Sequence, residues 1–340
     1  MRASRSAHAI WWLATALLLV ASASPSIAQS QNSPAQNSPA DRLWRHGITS
    51  PKADAGFYIM AARRGFAQRE GIRLTLVNLK EDYAGVQALL AGEIESYEGS
   101  PNTVILAGAR GADVRIVGCR WHAIPHGLFA RLGINRPADL RGTTLATAPA
   151  GSLPDIMMRA ILARAEVPPG EVKFAPIAGD RERYTALIGG VVDAAVVSNE
   201  YLPLPSSKGV KLIVDGRVAL PNMVRSCIVT TARILAHREE DAVRFLTAEI
   251  KALRHGLANR DETVRLAFEA SDMRADDPRP NFMFNQAIKP NTVMADLAIP
   301  LAKLEWMRDQ LAQLNELDRP VDVVKLIEPS TRLKALERAR

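Results

Sequence analysis

Residues 138–162 read ADLRGTTLATAPAGSLPDIMMRAIL. This is a short strand, a glycine-containing loop and a helix in immediate succession. Thr143 to Ala148 is a β-friendly run, and Pro149 and Gly151 break it. Ser152 stands where a helix N-cap belongs, with Asp155 three residues on as an imperfect capping box. Ile156, Met157, Ala160 and Ile161 keep helical spacing, while Arg159 falls on another face. A loop that brings a hydroxyl and free backbone N–H groups to a helix N-terminus suits an anion or a polar ligand head. Plain capping explains the same residues, so the loop alone does not establish a ligand.

Upstream, the chain alternates strand and helix patterns. Trp44 to Thr49, Ile72 to Asn78, Ile94 to Glu98 and Val114 to Gly118 read as strands. Phe57 to Ala67, Tyr83 to Ala91 and Thr103 to Ala109 read as the helices between them. Downstream, Gly127 to Ala130 is a strand, and after the opening stretch come Val172 to Ile177, a helix over Arg183 to Ile188, and the strand Ala194 to Ser198. Lys211 to Asp215 and Cys227 to Thr231 are the last strands. This β-α order predicts an α/β fold with mostly parallel sheets in two lobes, and ligands in such sheets sit at the carboxyl ends of the strands. Beyond Ile234 the chain is mainly helical. Val243, Leu246, Ile250, Leu253 and Leu257 form an apolar stripe that reads as core.

The first residues read as a targeting segment. Arg2 and Arg5 precede an apolar run of 13 residues, AIWWLATALLLVA from Ala9 to Ala21, too short for a bilayer span of roughly 20 residues. Ser26-Ile27-Ala28 fits small-x-small cleavage, which gives a signal peptide over residues 1–28, and no cysteine follows for lipid attachment. Residues 29–41 repeat QNSPA and read as a disordered linker. With Arg2 and Arg5 removed, the formal charge of +7 falls to +5. That excess is spread without a basic block, which argues against nucleic acid.

Other chemistries find little support. His122 and His126 lie four apart, but Pro125 opposes a helix that would set both on one face, and no third ligand is spaced for zinc, so no metal and no cofactor are expected. Ser100 and Ser152 lie outside a GxSxG elbow, and the glycine pairs fit neither a P-loop nor a dinucleotide fingerprint. Cys119 and Cys227 sit on apolar strand-like segments. A disulfide is open to them in an oxidising compartment, but their setting reads as two buried, reduced small hydrophobes.

The succession AGFYIMAARRGFAQREGIRLTLV, VQALLAGEIESYEGSPNTVILAGARGADVRIVG, PADLRGTTLATAPAGSLPDIMMRAILARAEVPPGEV and YTALIGGVVDAAVVSNEY, with the tail LEWMRDQLAQLNELDRPVDV, resembles the periplasmic solute-binding proteins of ABC importers. Within them it is similar to the NMT1/THI5-like branch, which includes binders of nitrate, sulfonates, taurine and thiamine pyrimidines. The resemblance implies the type II periplasmic-binding fold, two α/β lobes with a ligand cleft between them and a two-strand hinge. Residues 42–122 and 222–340 would form one lobe and residues 123–221 the other. It implies a monomer, not an enzyme, that captures a small polar or anionic solute and delivers it to a membrane permease. A ligand-sensing module of the same fold, a thiamine-pyrimidine precursor binder and an exported enzyme are the alternatives. Where many members carry an Asp, this chain has Glu95-Ser96-Tyr97-Glu98, and its first loop is SPKADAG, so the solute stays open.

The loops that end strands supply the candidate ligand residues: Lys52, Asp54 and Phe57; Ser100, Asn102 and Thr103; His126; Gly151 and Ser152; and Asn199, Glu200 and Tyr201. Lys52 would pair with an anionic head, and Phe57 or Tyr201 would cover an apolar body. Glu200 cuts the other way, since its carboxylate suits an amine-bearing ligand. The exported chain is expected to begin at Gln29, and N-terminal sequencing of secreted protein checks this. A chain retaining Met1 in the membrane fraction would overturn it.

Overall fold

The computed structural model describes residues 42–49, 52–271 and 273–340. The expected signal peptide and linker lie outside them. In chain order the elements are β1 (Leu43–Thr49), α1 (Gly56–Arg63), α2 (Phe66–Arg69), β2 (Arg73–Leu79), α3 (Asp82–Ala91), β3 (Ser96–Gly99), α4 (Pro101–Ala109) and β4 (Arg115–Trp121). Then come β5 (His126–Arg131), β6 (Thr144–Thr147), α5 (Leu153–Arg164), β7 (Lys173–Pro176), α6 (Asp180–Ile188), β8 (Ala194–Ser198), β9 (Val210–Asp215), α7 (Gly216–Ala219) and β10 (Ser226–Thr230). The C-terminal part is helical: α8 (Ala232–Ala258), α9 (Arg260–Ser271), α10 (Arg279–Ala287), α11 (Leu301–Gln313) and α12 (Pro329–Arg338).

The strands sort into two five-stranded sheets, β2-β1-β3-β10-β4 and β7-β6-β8-β5-β9. This is the α/β architecture with two lobes that the alternating pattern predicts. Each sheet contains one antiparallel strand, and it is the strand that arrives from the other sheet. β5 follows β4 after four residues and inserts between β8 and β9; β10 returns from β9 and inserts between β3 and β4. The two crossings give the sheets the same construction, and they set where the cavity lies.

The helix expected over Phe57 to Ala67 is two helices. Gly65 takes φ +72°, and the chain turns there before α2, a left-handed conformation that glycine adopts without steric cost. Ser152 is the N-cap residue of α5, but its side chain caps nothing. Asp155 instead accepts from the Gly151 N–H at 3.1 Å and from Arg159, so the expected capping box is not made.

Cys119 and Cys227 are both fully buried, as expected, but they are joined as a disulfide. The expectation of two reduced thiols is corrected by the register: antiparallel pairing sets Cys227 opposite Cys119 across β4 and β10. At a sequence separation of 108, only the return of β10 into the first sheet brings them together. The bond closes a loop containing the whole second sheet, and removing a native disulfide typically costs about 2–5 kcal/mol. Replacing both cysteines by alanine should lower the urea midpoint accordingly. Equal midpoints for variant and wild type would show that β10 is held without the bond.

Candidate functional site

In each sheet the four parallel strands end at one edge, and the antiparallel strand begins there. Lys52 follows β1, Ser100 follows β3, Ser152 lies in the loop after β6, Asp180 opens α6 after β7 and Glu200 stands in the turn after β8. His126 opens β5 and Ser226 opens β10. All seven line one cavity of about 680 Å³, within the usual 300–1,000 Å³ of small-molecule sites. The lining comes from both sheets, as strand-end geometry in open α/β folds requires.

Of the residues the sequence puts forward, Lys52, Ser100, Thr103 and His126 stand in the wall, with Ser152, Glu200 and Tyr201. The other five lie outside it. Asp54 is buried in an ion pair with Arg225. Phe57 is core, stacked on Phe284 at 5.7 Å and edge-on to Trp121; the aromatic that α1 turns into the cavity is the next residue, Tyr58. Asn102 is fully buried in the first turn of α4. Gly151 packs its backbone under Leu106 and Tyr83 of the first lobe, and Asn199 sits behind the wall against Gly127. The sequence reading missed Asp180, Arg183, Arg225 and Arg279. The loop IAGDRER after β7 carries the same strand-end signal as the loops it singled out.

Among the described residues the wall carries six basic side chains and six carboxylates, so it holds no surplus of either sign. Lys52 Nζ reaches Asp180 Oδ2 at 2.5 Å, an ion pair between a residue of the first sheet's edge and one of the second's. Arg183 also bonds Asp180 and places three further donors on the carbonyls of Ile177, Ala178 and Val196. Burial opposes the charge on Asp180, but Lys52 and Arg183 override it and hold the carboxyl well below its ordinary range. Burial likewise opposes the charge on Lys52, and Asp180 and Glu200 reverse this and raise its pKa.

Three described wall atoms are buried without a partner: Ser152 Oγ, His126 Nδ1 and Glu200 Oε2. Burial lowers the His126 imidazole below its ordinary value, with Asp180 opposing. Its Nε2 faces Asp180 Oδ2 at 3.7 Å. Glu200 is 3% exposed, and burial pushes its carboxyl up to about 7, against the pull of Lys52 and with Asp54 and Asp180 adding to the rise. Arg279 lies 3.9 Å from Glu200 but is held by Asp277 at 2.7 Å. Tyr201 stacks on Tyr184 at 4.2 Å, which fixes the ring beside the cavity. His122 and His126 point to different partners, the Ala298 carbonyl and Asp180.

The Glu200 shift has a stability consequence. Between about 4.5 and 7 the folded protein keeps a proton that the unfolded chain has released, so this group's contribution falls as pH rises through that window. The raise corresponds to roughly 3 kcal/mol at 1.36 kcal/mol per unit. Glu200→Gln should therefore gain stability over wild type as pH rises from 4.5 to 7, approaching that amount above 7. Denaturant unfolding of both proteins across this range checks it. A difference independent of pH would mean that Glu200 ionises freely.

The structure is similar to that of the periplasmic aliphatic sulphonate binding protein SsuA from Escherichia coli, with a TM-score of 0.70 and 17% identity over 85% of this chain and 92% of that one. It is equally similar to the alkanesulfonate-binding protein SsuA from Xanthomonas axonopodis pv. citri bound to MOPS, with a TM-score of 0.70 and 16% identity over 85% and 98%. The desulfurization enzyme DSZB matches with a TM-score of 0.64 and 18% identity over 87% of this chain and 100% of that one. At these identities the shared property is the periplasmic-binding fold. A comparison with curated proteins finds no sequence match. The NMT1/THI5-like family model matches residues 52–263, and the chain belongs to that family.

Proposed function

We propose that this protein is an exported solute-binding protein of an ABC importer. It captures a small polar solute in the cavity between its lobes and presents it to a membrane permease. The observation that carries this reading is a cavity of about 680 Å³ lined by strand ends of both sheets, with Ser152, His126 and Glu200 each offering a buried polar atom that has no protein partner. Buried polar groups are normally answered, and a bound solute would answer these. The sulfonate-binding proteins among the structural relatives and the family membership agree with such a role. Among the described residues no helix is long and apolar enough to cross a membrane.

The mechanism follows from the two lobes. A solute that touches both edges has more contacts in the closed arrangement than in an open one, and only that difference in affinity shifts the population. No bond in the solute need change. The desulfurization enzyme is also known with a cysteine changed to serine, in complex with biphenyl-2-sulfinic acid. Both cysteines here are consumed in the β4–β10 disulfide, so a thiol is not available to the cavity.

Mass spectrometry of small molecules retained by protein purified from its native host identifies the solute. At 100 times its dissociation constant it should add about 2.7 kcal/mol of stability. Ser152→Ala should weaken binding by about 0.5–1.5 kcal/mol if the contact is a neutral hydrogen bond, read by calorimetry. If Ser152→Ala and His126→Ala both bind like wild type, the cavity is not the site.

A further inference from the structure

The cavity wall answers its own cations and leaves acceptors open. Lys52 is taken by Asp180, Arg225 by Asp54, and Arg279 by Asp277. Arg183 spends four of its five N–H donors on Asp180 and three carbonyls. The remaining two basic residues, Lys80 and Arg181, are exposed, where water competes for any pairing. An anionic solute seated among the strand ends therefore meets no unpaired buried cation among the described residues of this wall.

The unpartnered atoms have the opposite character. Glu200 Oε2 belongs to a carboxyl that is ionised above about 7 and then only accepts. Asp180 faces Nε2 of His126 at 3.7 Å and favours the neutral ring's proton on that nitrogen, which leaves Nδ1 to accept. Ser152 Oγ accepts as readily as it donates. A ligand that satisfies all three brings N–H or O–H donors.

We propose that Asp180 selects the charge of the solute: its carboxylate occupies on Lys52 the place an anionic head would take, so the cavity accepts a nitrogenous solute whose protonated amine or amidine is received by Glu200. This rests on the solute-binding reading and narrows it to a ligand class. Asp180 acts through Lys52, as a positioning residue, while Glu200 touches the ligand. The Lys52–Asp180 distance of 2.5 Å and the second ion pair from Arg183, with His126 alongside, make the carboxylate a fixed part of the wall rather than a mobile surface group.

Benzamidine and benzoate test this because they share ring and head shape and differ in charge. At pH 8, above the Glu200 value of about 7, calorimetry should show wild type preferring benzamidine at least tenfold. Asp180→Asn, which keeps the shape but frees Lys52, should raise benzoate affinity at least tenfold. Glu200→Gln should lower benzamidine affinity by a similar factor without weakening benzoate, and this second variant decides the matter if Asp180→Asn does not fold. Unchanged ratios in the folded variants, a wild type that prefers benzoate, or no binding of either probe by any of the proteins overturns the assignment. A preference for benzoate leaves the cavity a solute site. Absence of both probe binding and retained host molecules removes the solute-binding reading as well.

Discussion

The guanidinium of Arg120 on β4 is fully buried, and much of the first lobe is arranged to answer it. It bonds Glu98 of β3 at 2.9 Å, Glu249 of α8 at 2.7 Å and the Phe57 carbonyl of α1. Four elements from distant parts of the chain thus meet at one charge. An unpaired buried charge costs several kcal/mol, and removing one partner of a buried pair costs about 3–5 kcal/mol, so none of these elements is free to shift alone. Two carboxylates share this single guanidinium. Burial, only partly offset by Arg120, pushes Glu249 up to about 7, with Glu98 adding to the rise. Glu98 also accepts from Ser226 of β10 at 2.7 Å, and both line the cavity. The buried pair is thereby the floor on which the site stands.

The same strand, β10, links that floor to the crossings between lobes. It carries Ser226 at the cavity edge and Cys227 in the disulfide to β4, one residue from Arg120. Just before it, Arg225 reaches back to Asp54 in the loop after β1 and lies 4.7 Å over the Trp121 ring. An antiparallel strand inserted among parallel ones starts at the edge where they end, which is why His126 and Ser226 stand among loops that follow β1, β3, β6, β7 and β8. Site position in this molecule is therefore a result of strand direction more than of any local motif.

Local signals made much of this legible. The period-two runs and their bounding turns located the strands, and the carboxyl-end rule then pointed to Lys52, Ser100, Ser152 and Glu200, all of which reach the wall. What the sequence could not show is which charges meet. Lys52 and Asp180 are 128 residues apart, and Arg225 and Asp54 are 171, so neither pairing has a local signature. Asp54 looked like a ligand residue because it is charged and in the right loop; in the fold Arg225 claims it. Phe57 and Tyr58 are neighbours at the start of a helix, and which one faces the cavity depends on how α1 packs against α9 and α10. The cysteines misled for a related reason: an apolar strand setting describes a buried thiol and a buried disulfide equally well.

Contact between the lobes is built into the protein. Gly151 has φ +75°, a conformation that favours glycine, and a Cβ there would lie 3.0 Å from both Leu106 Cδ1 and Tyr83 Oη, so the loop after β6 sits close against α3 and α4 of the other lobe. One continuous apolar cluster includes Leu106 of α4, Ile156 and Met157 of α5, Val224 before β10, and Leu304, Met307 and Leu311 of α11, and α11 touches both α4 and α5. The lobes therefore share core. Add the Lys52–Asp180 pair between the edges of the two sheets, and the lobes hold substantial contacts with each other. On the solute-binding reading proposed above, a ligand needs differential affinity only for the remaining gap between states. On that reading the lobes themselves supply part of the preference for the closed form, and a solute need supply only the rest.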